Sequence, residues 1–287
     1  MKTIQANIHS QEYMEAMARL MSEALESPEG MRALAAAIAD PIAQEIDRKE
    51  KSSLLLTQHT LPTGERPVYQ KRPTVKAYWI SNEGEAREQE VGQDEVEFPT
   101  HRIHSTPMVD ISVLKHGNIG TLMDIQTSAA KEIRKEMDKR TITVISKAIP
   151  AANTIEVTGG KLTDDALNEA ISIIEDLELA VKFIVMRGRR FNDMRDWDLD
   201  PETRAELRTK GVIKNYGTGG IMLTASADMD EVLIIPDEEI GKMPVRENLK
   251  TEAIEQKTRF KTGWLVWSEL GQGVTRPEIL AKIKILP

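Results

Sequence analysis

Apolar residues near the start of the chain recur at helical spacing, with Tyr13, Met17, Leu20, Met21 and Ala24 on one face. Ser27-Pro28-Glu29 opens a second helix, with serine as cap and proline in the first turn. Met31, Leu34, Ala35 and Ile38 line that helix until Asp40-Pro41 interrupts it. The two faces offer little to each other, so the pair reads as an arm that docks elsewhere. The period then changes. VKAYWIS (75–81) and EVEF (95–98) are β-rich, and the acidic stretch 82–94, with Gly84 and Gly92, reads as the solvated tip of a long hairpin. Two strands alone are marginal in water, so this hairpin needs a partner surface.

The next segment, 118–149, contains no proline and keeps Leu122, Ile125, Ala129, Ile133, Met137, Val144 and Ala148 near one face, with Thr141 filling a gap. As one helix it is a rod of roughly 45 Å, a structural beam that Pro150 ends. Beyond it helices and strands alternate. Thr163 caps a helix whose first turn holds Asp164 and Asp165, and whose apolar face is Leu167, Ile171, Ile174 and Leu177. A buried strand at 181–186, a helix from Arg189, a helix around 201–209 and a loop at 211–220 follow. Strands are predicted at 221–226, 231–236, 263–270 and 282–286, with a Gly-Gln-Gly turn at 271–273.

Composition narrows what this α+β pattern can do. The 287 residues carry a net charge of −8, which argues against a general nucleic-acid binder. The absence of cysteine removes disulfides, thiol nucleophiles and thiolate zinc sites. No apolar run is long enough to span a bilayer and no signal-peptide core opens the chain, so a soluble cytoplasmic protein is expected. Gly217-Thr218-Gly219-Gly220 lacks the lysine of a phosphate loop. His101 and His104 lie three apart in a β-rich region and would face opposite sides of a strand. Asp196, Asp198 and Asp200 resemble the start of a calcium loop, but Pro201 and Leu207 stand where glycine and glutamate are needed. No cofactor or metal is predicted.

The most reactive-looking stretch is AVKFIVMRGRRFNDMRDW, where a strand meets Gly188 and then a helix start. Arg187, Arg189, Arg190 and Arg195 could hold a phosphate at such a turn, and a phosphate-binding enzyme is one reading. Nothing nearby assembles a nucleophile, a base and an orienting group. In so acidic a chain, arginine forks suit carboxylates of this chain or of a neighbour, so the segment reads as an interface.

The order of these parts, with FIVMRGRRFNDMRDW, GTGGIMLTASADMDEVLIIPDEEIGKMPVRE (217–247) and WSELGQGVTRPEILAKIKIL, resembles the major capsid protein of tailed bacteriophages, the Hong Kong 97-type fold. The resemblance covers most of 71–287. It implies an N-terminal arm over 1–65, an E-loop over 66–104, and the start of a peripheral domain with the spine helix over 105–150. A mainly axial domain would occupy 151–242, with a return to the peripheral domain over 243–287. It further implies a structural protein without enzymatic activity that assembles as hexamers and pentamers into an icosahedral shell. That shell would enclose double-stranded DNA without binding it specifically. The virion would be its location, with assembly in the host cytoplasm.

By the same resemblance the E-loop would lie across a neighbouring subunit, which would cover Val75, Ala77, Tyr78 and Trp79. Separate scaffolding, portal and decoration proteins are the further partners implied. Only about sixty residues precede the E-loop, too few for an arm plus the cleaved scaffolding segment of some relatives, so scaffolding from a separate protein or an already mature sequence is expected. Lys71 and Lys76 sit near the loop that some relatives cross-link, yet no asparagine partner is identifiable, and no cross-link is expected. An encapsulin-like compartment shell is the rival within the same fold.

Overall fold

The computed structural model describes residues 11–27, 29–35, 37, 42, 51–62, 64–71, 94–110, 112, 119–195, 197, 220–256 and 261–287. In chain order the elements are α1 (Gln11–Glu26), α2 (Ser52–Leu55), β1 (Thr57–Thr60), β2 (Val68–Gln70), β3 (Glu95–Glu97), β4 (His101–Ser105), β5 (Met108–Asp110) and α3 (Ile119–Ala148). There follow β6 (Thr154–Val157), α4 (Asp164–Glu175), β7 (Val181–Met186), α5 (Gly188–Arg195), β8 (Ile221–Leu223) and β9 (Glu231–Pro236). The last strands are β10 (Gly241–Gln256), β11 (Lys261–Leu270), β12 (Gly273–Val274) and β13 (Ala281–Ile285). The chain divides into two compact units. One comprises Met1–Leu54, Thr100–Arg140 and Val245–Gly271, the other Leu55–Pro99, Thr141–Pro244 and Gln272–Pro287.

The first unit is built on β11. Its register with β10 runs from Val245↔Leu270 to Gln256↔Lys261, with irregularities on either side of Glu247. On its other side β11 pairs with β4 and β5, all antiparallel. Alternation sorts its side chains: Trp264, Val266, Ser268 and Leu270 are buried, while Leu265, Trp267 and Glu269 face the other way. Ser27 caps the helical turns at 29–35 as expected, its hydroxyl accepting from Gly30 N at 3.0 Å. The arm helices do not wait for an outside surface, however. Met17, Met21, Met31, Leu34 and Ala35 are buried within this chain. The hydroxyl of Thr262 on β11 lies 3.7 Å from the Met31 sulfur. Asp138 of α3, itself buried, accepts from the backbone of Lys51 and Ser52 and from the Ser52 hydroxyl, at 3.0 to 3.1 Å.

On the outer face of β11, Glu269 accepts from the Thr100 hydroxyl at 2.9 Å and from Arg102 Nε at 3.2 Å, and Arg246 lies 3.4 Å away. The Thr100 hydrogen bond, followed by the Arg102 bond and the two guanidinium charges, holds the Glu269 carboxyl below its usual range against the opposing effect of burial.

The second unit holds a mixed sheet in the order β6-β13-β9-β7-β8, with parallel pairs at both edges and antiparallel pairs between. Val232, Leu233, Ile234 and Ile235 of β9 are all buried, the continuous apolar run of a strand covered on both faces. On one face Leu167, Ala170, Ile171 and Ile174 of α4 and Phe191 and Met194 of α5 pack against Ile184, Met186, Ile234 and Ile283. Lys282 on β13 points to the other face. There its ammonium reaches Ser146 O at the C-terminal end of α3, at 3.1 Å, while the Ser146 hydroxyl donates to Glu231. The apolar face of α3 matches expectation at Ala129, Ile133 and Met137 and then drifts. Ile142, Ile145 and Ile149 are buried, whereas Val144 and Ala148 are only half so, because the stripe follows Met137, Thr141, Ile145 and Ile149 at four-residue steps.

Arg190 is the polar centre of this unit. Only 2% exposed, it donates from Nε to Met229 O at 2.6 Å and from Nη1 to Gly160 O at 2.7 Å. Nη1 also meets Asp193 Oδ2 at 3.1 Å, and Nη2 meets Asp230 Oδ1 at 2.6 Å.

Three outcomes are expected. Arg190→Met strands two carboxylates and two carbonyls and should lower stability by about 3 kcal/mol or more in urea unfolding, with helix content retained at low urea. Gly273→Ala should cost about 1–3 kcal/mol by the same assay, because a Cβ there would overlap the Phe98 ring. For Glu269 the folded carboxyl is the stronger acid, so its contribution is complete above the ordinary glutamate range of about 4.3 and lost as pH falls through the folded value. Melting temperature measured from pH 6 to pH 3 should fall less steeply in Glu269→Gln than in the unaltered chain.

Candidate assembly surfaces

The hairpin begins from a defined stem. Val68↔Glu97, Tyr69↔Val96 and Gln70↔Glu95 pair antiparallel, so the observed partner of the EVEF strand is 68–70. The predicted strand 75–81 lies outside the described residues, and with it Val75, Ala77, Tyr78 and Trp79. Aromatic packing holds the stem within the second unit. Tyr69 stacks on Phe98 at a centroid distance of 5.2 Å, and its hydroxyl is 2.9 Å from His59 Nδ1 on β1. Lys242 Nζ sits 5.4 Å from the Tyr69 ring centroid, and Phe98 fills the space that the absent Gly273 side chain leaves. Burial, aided by nearby Glu65, raises the Tyr69 hydroxyl above its ordinary pKa. No local sequence signal marks this cluster. Phe98 and Gly273 are far apart in the chain, and only the pairing of Gly273 with Lys242 brings that backbone to Phe98.

The arginine segment is half as expected. The strand 181–186 and the helix after it form, with α5 already begun at Gly188. Arg190 does not join Arg187 and Arg189. Arg190 turns inward and spends its guanidinium on its own chain, which corrects its expected place in a contact with a neighbour. The reason is packing: one turn of α5 puts Phe191 and Met194 into the core, and Arg190 shares that inward side. Arg187 is half-buried and Arg189 exposed at the start of the helix. Arg195 ends α5, and its side chain lies outside the described residues. A phosphate at this turn would therefore lack Arg190. His101 and His104 lie on β4 opposite Leu270 and Trp267. The calcium-like aspartates 196, 198 and 200 and the predicted elements over 201–219 fall outside the described residues.

A second departure concerns α4. Leu167, Ile171 and Ile174 are buried as predicted, but Leu177 is 46% exposed. The helix ends at Glu175, and Glu178 adopts φ 59°, so the chain turns before Leu177 can follow the stripe inward.

No family model matches the chain, and no curated protein matches it in sequence. Solved structures do resemble it. A chain of Microbacterium phage Oxtober96 is 15% identical with a TM-score of 0.64, over 83% of this chain and 91% of that one. The mature capsid of bacteriophage PhiM1 gives 12% identity and a TM-score of 0.62, over 83% and 88%. A virus-like particle from Pyrococcus furiosus gives 14% and 0.57, over 86% and 97%. At such identities the likeness resides in the path of the backbone, and it extends over most of each chain. The chain has the α+β fold of tailed-phage major capsid proteins, the Hong Kong 97-type fold expected from its sequence.

Proposed function

We propose that this chain is a structural major capsid protein that assembles through hexamers and pentamers into an icosahedral phage head around double-stranded DNA. The observation that carries the reading is the likeness to a mature phage capsid over more than four-fifths of both chains. In this reading 1–65 is the arm, 66–104 the E-loop, 105–150 the start of the peripheral domain with its spine helix, 151–242 mainly the axial domain, and 243–287 the return to the peripheral domain. Val75, Ala77, Tyr78 and Trp79 lie against a neighbouring subunit, and Arg187, Arg189 and Arg195 contribute to subunit contacts. The protein is not an enzyme and works with separate scaffolding, portal and decoration proteins. It acts in the virion after assembly in the host cytoplasm. The stem supports the E-loop assignment, because a stacked, buried root can hold a long excursion out from the subunit body.

A compartment shell with protein cargo is the second reading, favoured by the likeness to a virus-like particle. Light scattering and negative-stain imaging of the purified protein are expected to find closed shells or capsomers of five and six. Nuclease-protected DNA inside particles from the producing cells supports the phage head, and protein contents support the compartment. A monodisperse monomer or dimer, unchanged by concentration or added scaffold, would overturn both.

A further inference from the structure

Among the described residues of the second unit four large hydrophobics are exposed: Val68 in the hairpin stem, and Leu177, Leu223 and Met229, which lie near the two ends of one strand. Leu177 lies just before β7, beside Glu175, Asp176 and Glu178, all exposed. Leu223 and Met229, 40% and 42% exposed, lie at the far end. Leu223 is in register with Met186, the last residue of β7, and the Met229 carbonyl is bound to Arg190, next to Arg189. The first end thus joins Leu177 to three exposed acids, with Lys182 nearby already paired to Asp237, and the second joins Leu223 and Met229 to Arg187 and Arg189. The acids at the basic end are already engaged, Asp230 with Arg190 and Asp228 with the backbone of its own turn. Among the described residues, Arg187, Arg189, Glu175, Asp176 and Glu178 form no ion pair.

The six residues of β7 hold the two ends about 20 Å apart, too far for them to meet within one chain. Exposed apolar spots with charged borders are how protein–protein contacts present themselves. We propose that the acidic end of one copy seats on the basic end of the next, Leu177 against Leu223 and Met229, with Glu175, Asp176 and Glu178 facing Arg187 and Arg189. This rests on the self-assembly reading and names the contact it uses. Two different patches on one molecule meet head to tail, and such contacts build a ring when the rotation closes. The opposite charges set which ends meet, and the leucines and methionine exclude water from the centre.

Charge exchange tests the pairing. A chain with Arg187→Glu and Arg189→Glu carries acid at both ends, and one with Glu175→Lys, Asp176→Lys and Glu178→Lys carries base at both. Each alone should need about tenfold or more protein to assemble, with its thermal melt as a check that it is folded. Mixed in equal amounts they should alternate and form even-numbered rings but not five-membered ones. One chain carrying all five changes should form both. The contact is overturned if either altered chain assembles like the unaltered one, or if neither the mixture nor the five-change chain assembles although folded. DNA lost from normally assembled shells of the arginine variant would assign those arginines to nucleic acid and equally overturn it. Failure of the unaltered chain to assemble would instead overturn the underlying reading.

Discussion

A single guanidinium organises the second unit. Burying a cation is costly unless its donors are used, and the Arg190 fork meets that demand by reaching Gly160, Met229, Asp193 and Asp230 together. Those partners come from the turn after β6, the turn before β9, and α5 itself. The same turns tie down the end of the chain, because Gly160 N donates to Leu286 O and Ile285 N to Asp230 O. Positive φ at Gly159 and Gly160 lets the first turn reverse where a side chain would be strained. Asp193 also accepts from Leu162 N, and the Trp197 indole donates to Leu162 O, so the entry to α4 is fixed by the same cluster. The Arg190 guanidinium is consumed in closing the fold.

What this rigidity serves is the presentation of edges. With Arg190 drawn inward, Arg187 and Arg189 remain at one end of β7, and the early end of α4 leaves Leu177 at the other. The hairpin follows a similar logic, since the stacked Tyr69 and Phe98 fix its root. The proposed shell role would use this combination of a firm body and projecting contacts, because a loose body would spread each contact over many geometries and weaken it.

Local pattern determined much of this protein. Helical spacing located α1, the Ser27 cap, α3 to within a residue at each end, and the core face of α4 as far as Ile174. Apolar runs located β7 and β9, and the strand predicted at 263–270 covers most of β11. The order of those elements was enough to indicate the capsid fold. These features are legible because each depends on neighbours a few residues away.

Other features depend on partners far along the chain, and only the tertiary structure decided them. The polar stretch KMPVRENLKTEAIEQ has no strand signature and carries a proline, yet most of β10 lies there because β11 supplies its hydrogen bonds. TQHT is a strand for a similar reason, through its pairing with β10. The partner of EVEF was set by the Tyr69–Phe98 root rather than by the stronger β-propensity of VKAYWIS. The four arginines looked alike in sequence, and the core side of α5 alone chose Arg190 for the interior. Leu177 belonged to the apolar stripe by spacing, and the turn at Glu178 left it in solvent. Sequence period thus set where helices and strands form, while long-range pairing and burial set which side chains were left exposed.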